Sequence, residues 1–313
     1  MTVPPTSPRR RFGLLLATVL VGAPVLGACA DDGGTASDGG ASSATPTAAA
    51  TSDDPGASPS GVPTQSASTQ AGGSGVAAPV YFTGDTPQGP RLFREFHELS
   101  GSGNPVDEAL ALAAAGDAFD PDYGTLLPAG TPTATTGDGL IQISLPDASW
   151  VERPAGMRAR QAELAVQQLV YTAQGVLQDR VPVVFLLDGS LSPVLGLEAP
   201  EGFEAAPDLD VLALVNLTTP EEGASVSGSI SVEGVASSFE ATVPWELRDA
   251  DGVVVATGFA TAEGWMDKLY PFATDVPLAD VAPGDYTFVA LTDDPSDGEG
   301  SGPTEDTKAI TVS

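Results

Sequence analysis

From residue 30 to residue 78 the chain contains only two larger apolar side chains, Val62 and Val76; the rest is Ala, Gly, Ser, Thr, Pro, Asp and Gln. Stretches such as Ala41-Ser42-Ser43-Ala44-Thr45-Pro46 and Asp53-Asp54-Pro55-Gly56 cannot bury enough surface to offset the entropy of ordering their backbone. Any folded core must therefore come from the residues C-terminal to this segment, beginning at about Pro79. Residues 29–78 are expected to form a disordered tether. A flexible coil of residues 30–78 spans roughly 35–40 Å, and proline and repulsion among the aspartates extend that reach. A passive spacer is favoured over one decorated with sugars on Ser or Thr.

The segment before the tether reads as an export signal. Arg9, Arg10 and Arg11 form a positive region, and Phe12 to Leu26 is an apolar run too short for an ordinary membrane span. It ends in Leu26-Gly27-Ala28-Cys29, which resembles the lipobox of bacterial lipoproteins. The resemblance implies removal of residues 1–28 as a signal peptide and attachment of acyl chains, such as palmitate, to Cys29. At ~0.8 kcal/mol per buried CH₂, several acyl chains hold a protein to a bilayer without a transmembrane helix. Arg9-Arg10-Arg11-Phe12-Gly13-Leu14 also resembles a twin-arginine signal, and the general secretory route stays equally open. The expected location is the extracytoplasmic face of the cell membrane.

Charge narrows the partners. The chain carries 12 Lys and Arg against 42 Asp and Glu, a net −30. Cleavage after Ala28 removes three arginines and no acid, leaving 9 against 42, or −33. Affinity for nucleic acid rests on Lys and Arg neutralising phosphates, so a nucleic-acid partner is not expected. Cys29 is the one cysteine, which excludes an intrachain disulfide framework and Cys-rich zinc sites. No cofactor or metal is expected.

From Pro79 short apolar runs alternate with turn residues. Val80-Tyr81-Phe82 reads as a strand with Leu92 to His97 as its hairpin partner. Asn104-Pro105 starts a helix, with Asp107 and Glu108 near its positive end and Gly116 to close it. Leu140 to Leu145 alternates like a half-buried strand. Ala162, Ala165, Val166, Leu169, Val170 and Ala173 recur at helical spacing within a helix from about Met157 to Gln178, with Gln167 and Gln168 mostly pointing elsewhere. Val181 to Leu187 is a dense apolar strand closed by Asp188-Gly189. The pattern predicts an α+β domain over 79–209, with helices covering one face of a small sheet.

This stretch resembles the GerMN domain of spore-germination and sporulation proteins. The likeness is carried by Val80-Tyr81-Phe82, by Leu126-Leu127-Pro128-Ala129-Gly130-Thr131, by Ala165 to Thr172, and by Pro182 to Gly189. It implies a fold like the ring-building motifs of envelope machines and transfers no catalytic residue.

Residues 210–313 hold about seven strand-like runs, which predicts an immunoglobulin-like sandwich. The runs are Val211 to Leu217, Val226 to Val232, Phe239 to Leu247, Val253 to Ala260, Phe272 to Val276, Tyr286 to Leu291 and Lys308 to Val312. Asp251-Gly252 suits a hairpin turn. Trp245 is the expected core aromatic, and Pro283-Gly284-Asp285-Tyr286 resembles a tyrosine corner. Ser238 to Val243, Trp245-Glu246-Leu247, Gly258 to Ala262 and Pro283 to Phe288 resemble the immunoglobulin-like domain of bacterial spore germination. The whole chain is thus expected to be an α+β GerMN-like, ring-building-motif-like domain followed by an all-β immunoglobulin-like sandwich.

Chemistry-bearing residues are sparse. His97 lacks a second His or nearby Cys, so a surface or satisfied strand histidine is favoured over a base or ligand. Asp188-Gly189-Ser190-Leu191-Ser192 lacks the Gly-x-Ser-x-Gly pattern of a nucleophile elbow. Asp293-Asp294-Pro295-Ser296-Asp297-Gly298-Glu299 has oxygen ligands for calcium but not the EF-hand register, and a solvated loop is favoured. Trp265, Met266, Tyr270 and Phe272 share one connection; capping of the core is favoured over a partner-binding patch, which stays open. The expectation is a non-enzymatic, lipid-anchored envelope protein that binds envelope proteins or peptidoglycan. The alternatives are a wall-acting hydrolase and an accessory lipoprotein of a membrane sensor.

Overall fold

The computed structural model describes residues 76–101, 103–293 and 299–313, which fall within one compact unit. The expectations for residues 1–28, for Leu26, Gly27, Ala28 and Cys29, and for all but the end of the tether lie outside the described residues. An α+β domain comes first and a β sandwich second.

The first domain opens with an antiparallel hairpin, β1 (Val76–Gly84) and β2 (Arg91–Leu99). β1 begins before the expected domain start at Pro79, because Ala77 and Ala78 pair with Glu98 and His97 across the ladder. Backbone pairing needs no large side chain, so this alanine-rich edge carries no hydropathy signal.

α1 (Pro105–Ala115) starts where Asn104 and Pro105 place it. The Asn104 side chain accepts from Val106 N at 3.2 Å and donates to Ala134 O at 2.8 Å. Next come β3 (Thr133–Gly137), β4 (Leu140–Ser144), α2 (Ala159–Leu177), β5 (Val183–Leu187) and β6 (Ser190–Leu191). The four strands form one sheet in that order, with α2 crossing between the parallel pair β4 and β5. Asp138-Gly139 and Asp188-Gly189 join the antiparallel pairs, and all four residues have positive φ, as two-residue primed turns require. β3 and β6 escape sequence patterning: β3 is Thr-rich and mostly exposed, and β6 is two residues long.

The helices do not cover one face of a single sheet; they lie between two sheets. Leu110, Ala165, Leu169 and Val170 pack with Ile141, Ile143, Val183 and Phe185 of the four-stranded sheet. Ala109 and Ala113 meet Val80 and Phe82, and Leu164 and Tyr171 meet Tyr81 and Leu92, all on the hairpin. α2 is buried on nearly every side, so polar residues that a one-sided helix would expose sit inside. An unbonded polar group there costs free energy. Gln168, expected to point elsewhere, is fully buried and donates to Ala113 O at 3.0 Å. Thr172 Oγ1 accepts from Tyr81 N at 3.1 Å, and Gln174 donates to Val181 O at 2.9 Å.

A one-turn helix, α3 (Asp208–Val211), ends at Val211, where the apolar pattern predicts the start of a strand. The sandwich comprises β7 (Val215–Thr219), β8 (Ala224–Val226), β9 (Ser229–Ala236), β10 (Thr242–Asp249), β11 (Val254–Thr261), β12 (Tyr270–Pro277), β13 (Gly284–Leu291) and β14 (Glu305–Val312). One sheet has the order β11-β10-β13-β14-β8 and the other β12-β9-β7. The strand beyond the expected seven is β8, which pairs parallel with β14.

Val232, Leu247, Phe288 and Ile310 fill the space between the sheets. Trp245 sits at the margin of this core, stacked 6.0 Å from Phe288, and Phe288 is the fully buried aromatic. The Tyr286 hydroxyl donates to Ala282 O at 2.8 Å, the backward bond of a tyrosine corner. Trp245 lies over Gly258 on the neighbouring strand, where a Cβ would stand 2.3 Å from Trp245 Cζ2. Gly258→Ala is therefore expected to destabilise the protein by about 1–3 kcal/mol through overpacking. A lowered denaturation midpoint with an unchanged slope is the outcome that checks it.

Candidate functional site

The two domains meet across a buried polar cluster. Lys308 on β14 reaches from the sandwich into the first domain, where its ammonium bonds Asp120 and approaches Tyr123 Oη at 3.1 Å. Asp306, two residues earlier on the same strand, accepts from Tyr123 at 2.5 Å, Asn216 Nδ2 at 3.1 Å and Leu217 N at 2.5 Å. Asn216 Oδ1 in turn accepts from Arg94 N at 3.0 Å. Lys308, Asp306 and Asp120 are 4%, 2% and 2% exposed.

The loop bearing Asp120 and Tyr123 is itself held from β2. Glu95 accepts Phe119 N and Asp120 N, each at 2.9 Å, and shares a 2.9 Å hydrogen bond with His97. The His97 ring stacks on Phe119 with centroids 4.1 Å apart. His97 is thus a buried, partnered strand histidine that helps place the loop. Around this centre Ala213 N donates to Leu92 O at 2.8 Å, and Gln88 donates to Ser301 Oγ and Gly302 O at 3.0 Å. A cavity of about 330 Å³ opens beside the cluster, bordered by Asp85, Asp122, Glu305 and Asp306. No local motif announces the cluster, because Asp120 and Lys308 are 188 residues apart. The one hint is that Lys308 is one of two lysines in the chain.

Burial opposes charge on Lys308, but Asp306, Asp120 and then Glu95 outweigh it and hold its pKa above the ordinary 10.5. Burial also opposes charge on Glu95, but His97 and the two backbone N–H groups outweigh it and hold the carboxyl below the ordinary 4.5. A raised lysine stabilises fully below its unfolded pKa and is lost as pH rises through its folded value. A depressed carboxyl stabilises above its unfolded pKa and is lost as pH falls through its folded value. Unfolding monitored from acid to alkali should therefore lose the Glu95 contribution below about pH 4.5 and the Lys308 contribution above about pH 10.5, with the acid limb softened by Asp120, whose carboxyl pKa is raised by burial despite Lys308. Lys308→Met leaves buried carboxylates without their cation and should cost about 3–5 kcal/mol. Calorimetry of that variant should resolve separate domain transitions where the parent shows one.

The four residues expected to share one connection divide: Trp265 and Met266 lie between β11 and β12, whereas Tyr270 and Phe272 lie on β12 itself. Phe272 is buried in the sandwich core, and Tyr270 packs at its margin against Gly264. Trp265 and Met266 instead stay 48% and 55% exposed, with Trp265 edge-on to Phe239 at 5.5 Å. Capping of the core thus falls to Phe272 and Tyr270, and the outer pair is left at the surface. Ser190 is exposed on β6. In the acidic loop Asp293 N donates to Ser238 Oγ at 2.7 Å, and residues 294–298 lie outside the described residues. Among the described residues no group of three or more His, Cys, Asp or Glu is arranged to hold a metal. Among them, too, no helix is long and apolar enough to cross a membrane.

Comparison with known proteins places both domains. Residues 79–192 match the family model Germane, described as sporulation and spore germination. Residues 214–299 match Gmad2, the immunoglobulin-like domain of bacterial spore germination. The chain carries a sporulation and spore germination domain followed by the immunoglobulin-like domain of bacterial spore germination.

Among solved structures, the tandem GerMN domains of the sporulation protein GerM from Bacillus subtilis are 14% identical with a TM-score of 0.33. That match covers 66% of this chain and 63% of that one. CopC from Methylosinus trichosporium OB3b is 22% identical with a TM-score of 0.21, over 31% of this chain and 90% of that one. The endo-beta-1,4-mannanase from Thermotoga petrophila is 12% identical with a TM-score of 0.27, over 52% of this chain and 37% of that one. The chain spans less than two thirds of the GerM and mannanase structures, and none of these likenesses bears on activity. A search of curated proteins returned no match.

Proposed function

We propose that the protein is a lipid-anchored, non-enzymatic component of the cell envelope, held to the outer face of the cell membrane through Cys29. It presents its two domains as one body to an envelope protein or to peptidoglycan. The observation that carries the binding role is the exposure of Trp265 and Met266 in the connection that leads into β12, whose aromatics Tyr270 and Phe272 cap the core. Apolar side chains exposed side by side can form a contact patch, and Trp is enriched among the residues that anchor interfaces. Leu26-Gly27-Ala28-Cys29 behind a basic and apolar leader supports the anchor. The tether then sets the reach of the folded body at tens of ångströms from the bilayer.

Two measurements test this. Cells fed an alkyne-bearing fatty acid should label the parent protein, and Cys29→Ala should lose both the label and membrane retention. A photo-crosslinking residue at Met266, beside Trp265, should capture a defined envelope component in native membranes. Trp265→Ala should weaken that capture while shifting stability by less than about 1 kcal/mol. Turnover of purified wall fragments by the protein, with no crosslinked component, would overturn the proposal.

A further inference from the structure

The outer strand of the five-stranded sheet is unlike its surroundings. Over residues 254–261 β11 pairs with β10 alone, so one side of its backbone is a free edge there; just beyond it Ala262 bridges to Phe272 of β12 and Glu263 N donates to Pro271 O at 3.0 Å. From Gly252 to Ala262 it carries no charged residue, in a chain with 42 acids. Free edges are ordinarily blunted by charges or proline along the strand, since unpaired N–H and C=O groups recruit another strand. Here the side chains invite one. Val255 and Phe259 stand 47% and 67% exposed on the face turned away from the sandwich core, and Val253 and Val254 are exposed where the strand begins.

Charge marks the two ends. Asp249 and Asp251 precede the strand, beside an Arg248 already paired with Glu246 and Glu305, and Glu263 and Asp267 come after it, beside a Lys268 that lies over the Tyr270 ring, so acids exceed bases at each end. A second copy of the chain fits this edge poorly: antiparallel pairing would set the Asp251 end of each copy beside the Glu263 end of the other. The tether fits no better, since residues 30–75 hold no lysine or arginine and no run of alternating apolar residues.

We infer that β11 is a docking edge that captures an extended segment of a partner protein, with alternating apolar residues in its middle and basic residues at its ends. Backbone pairing would give the complex its affinity, and apolar side chains placed beside Val255 and Phe259 its register. Basic ends would neutralise the two acidic ends of the edge. β11 runs directly into the connection holding Trp265 and Met266, so the inference deepens the binding role proposed above and rests on it.

The test uses the full mature chain and a labelled synthetic peptide of alternating threonine and valine flanked by lysines. Fluorescence anisotropy should show saturable binding that weakens with salt. Hydrogen exchange should show new protection at residues 254–261. The same peptide flanked by glutamates should bind at least about tenfold more weakly. A Val255→Lys, Phe259→Lys double variant, folded with the parent's denaturation midpoint, should lose binding. If that variant folds poorly, Phe259→Thr is read instead.

Equal binding of the glutamate-flanked peptide, protection elsewhere, or no binding at millimolar peptide overturns the docking edge. Dimerisation of the parent that the double variant abolishes would assign the edge to a second copy and overturn the partner. Capture from Met266 in membranes can succeed while each of these fails, so the two proposals fall separately.

Discussion

Everything about how this protein presents itself depends on an ion pair that has almost no water. Lys308 and Asp120 come from different domains and are both nearly fully buried, with Asp306 and Tyr123 completing the set. Burying charges is costly, and attraction offsets that cost only when the remaining donors and acceptors are also bonded. Here they are: Asp306 takes bonds from Tyr123, Asn216 and Leu217 N. Glu95 holds the loop that brings Asp120 and Tyr123 into place. A greasy interface would tolerate sliding; a set of directional bonds does not. The two domains therefore meet in one relative position.

That rigidity gives the surface its meaning. With the domains fixed, β11 and the Trp265–Met266 tip stand at defined positions on one body. The chain buries Lys308 in the interface and bonds Arg91 to Leu209 O, and its acids outnumber its bases 42 to 12. Against that background an uncharged, valine-rich edge is the surface feature least explained by solubility.

Much of the architecture is legible along the chain because its signals are local. Asn104 capping α1, the Asp-Gly turns, the apolar spacing of α2 and the Tyr286 corner each involve residues within a few positions of one another. The features that stay hidden are non-local or depend on which side an element buries. The helices lie between two sheets, so Gln168 and Thr172, polar by type, are internal. β3 carries no apolar signal because its threonines face water. The interface cluster is invisible in the sequence because Asp120 and Lys308 are joined only by the fold, and the edge character of β11 because strand order is a tertiary fact.

The sequence alone indicated three things: that residues 30–75, with Val62 as their one larger apolar side chain, offer little for a core, that an α+β domain precedes a β sandwich, and that one cysteine cannot form an intrachain disulfide. Each rests on composition or short-range pattern, which needs no knowledge of what lies beside what. Tertiary structure decided the rest. It chose which polar residues are buried, set Phe272 of β12 inward and Trp265 of the connection before it outward, and left β11 with a neighbour on one side alone. Those outcomes rest on contacts between residues far apart in the chain, where burial and pairing outweigh any local preference.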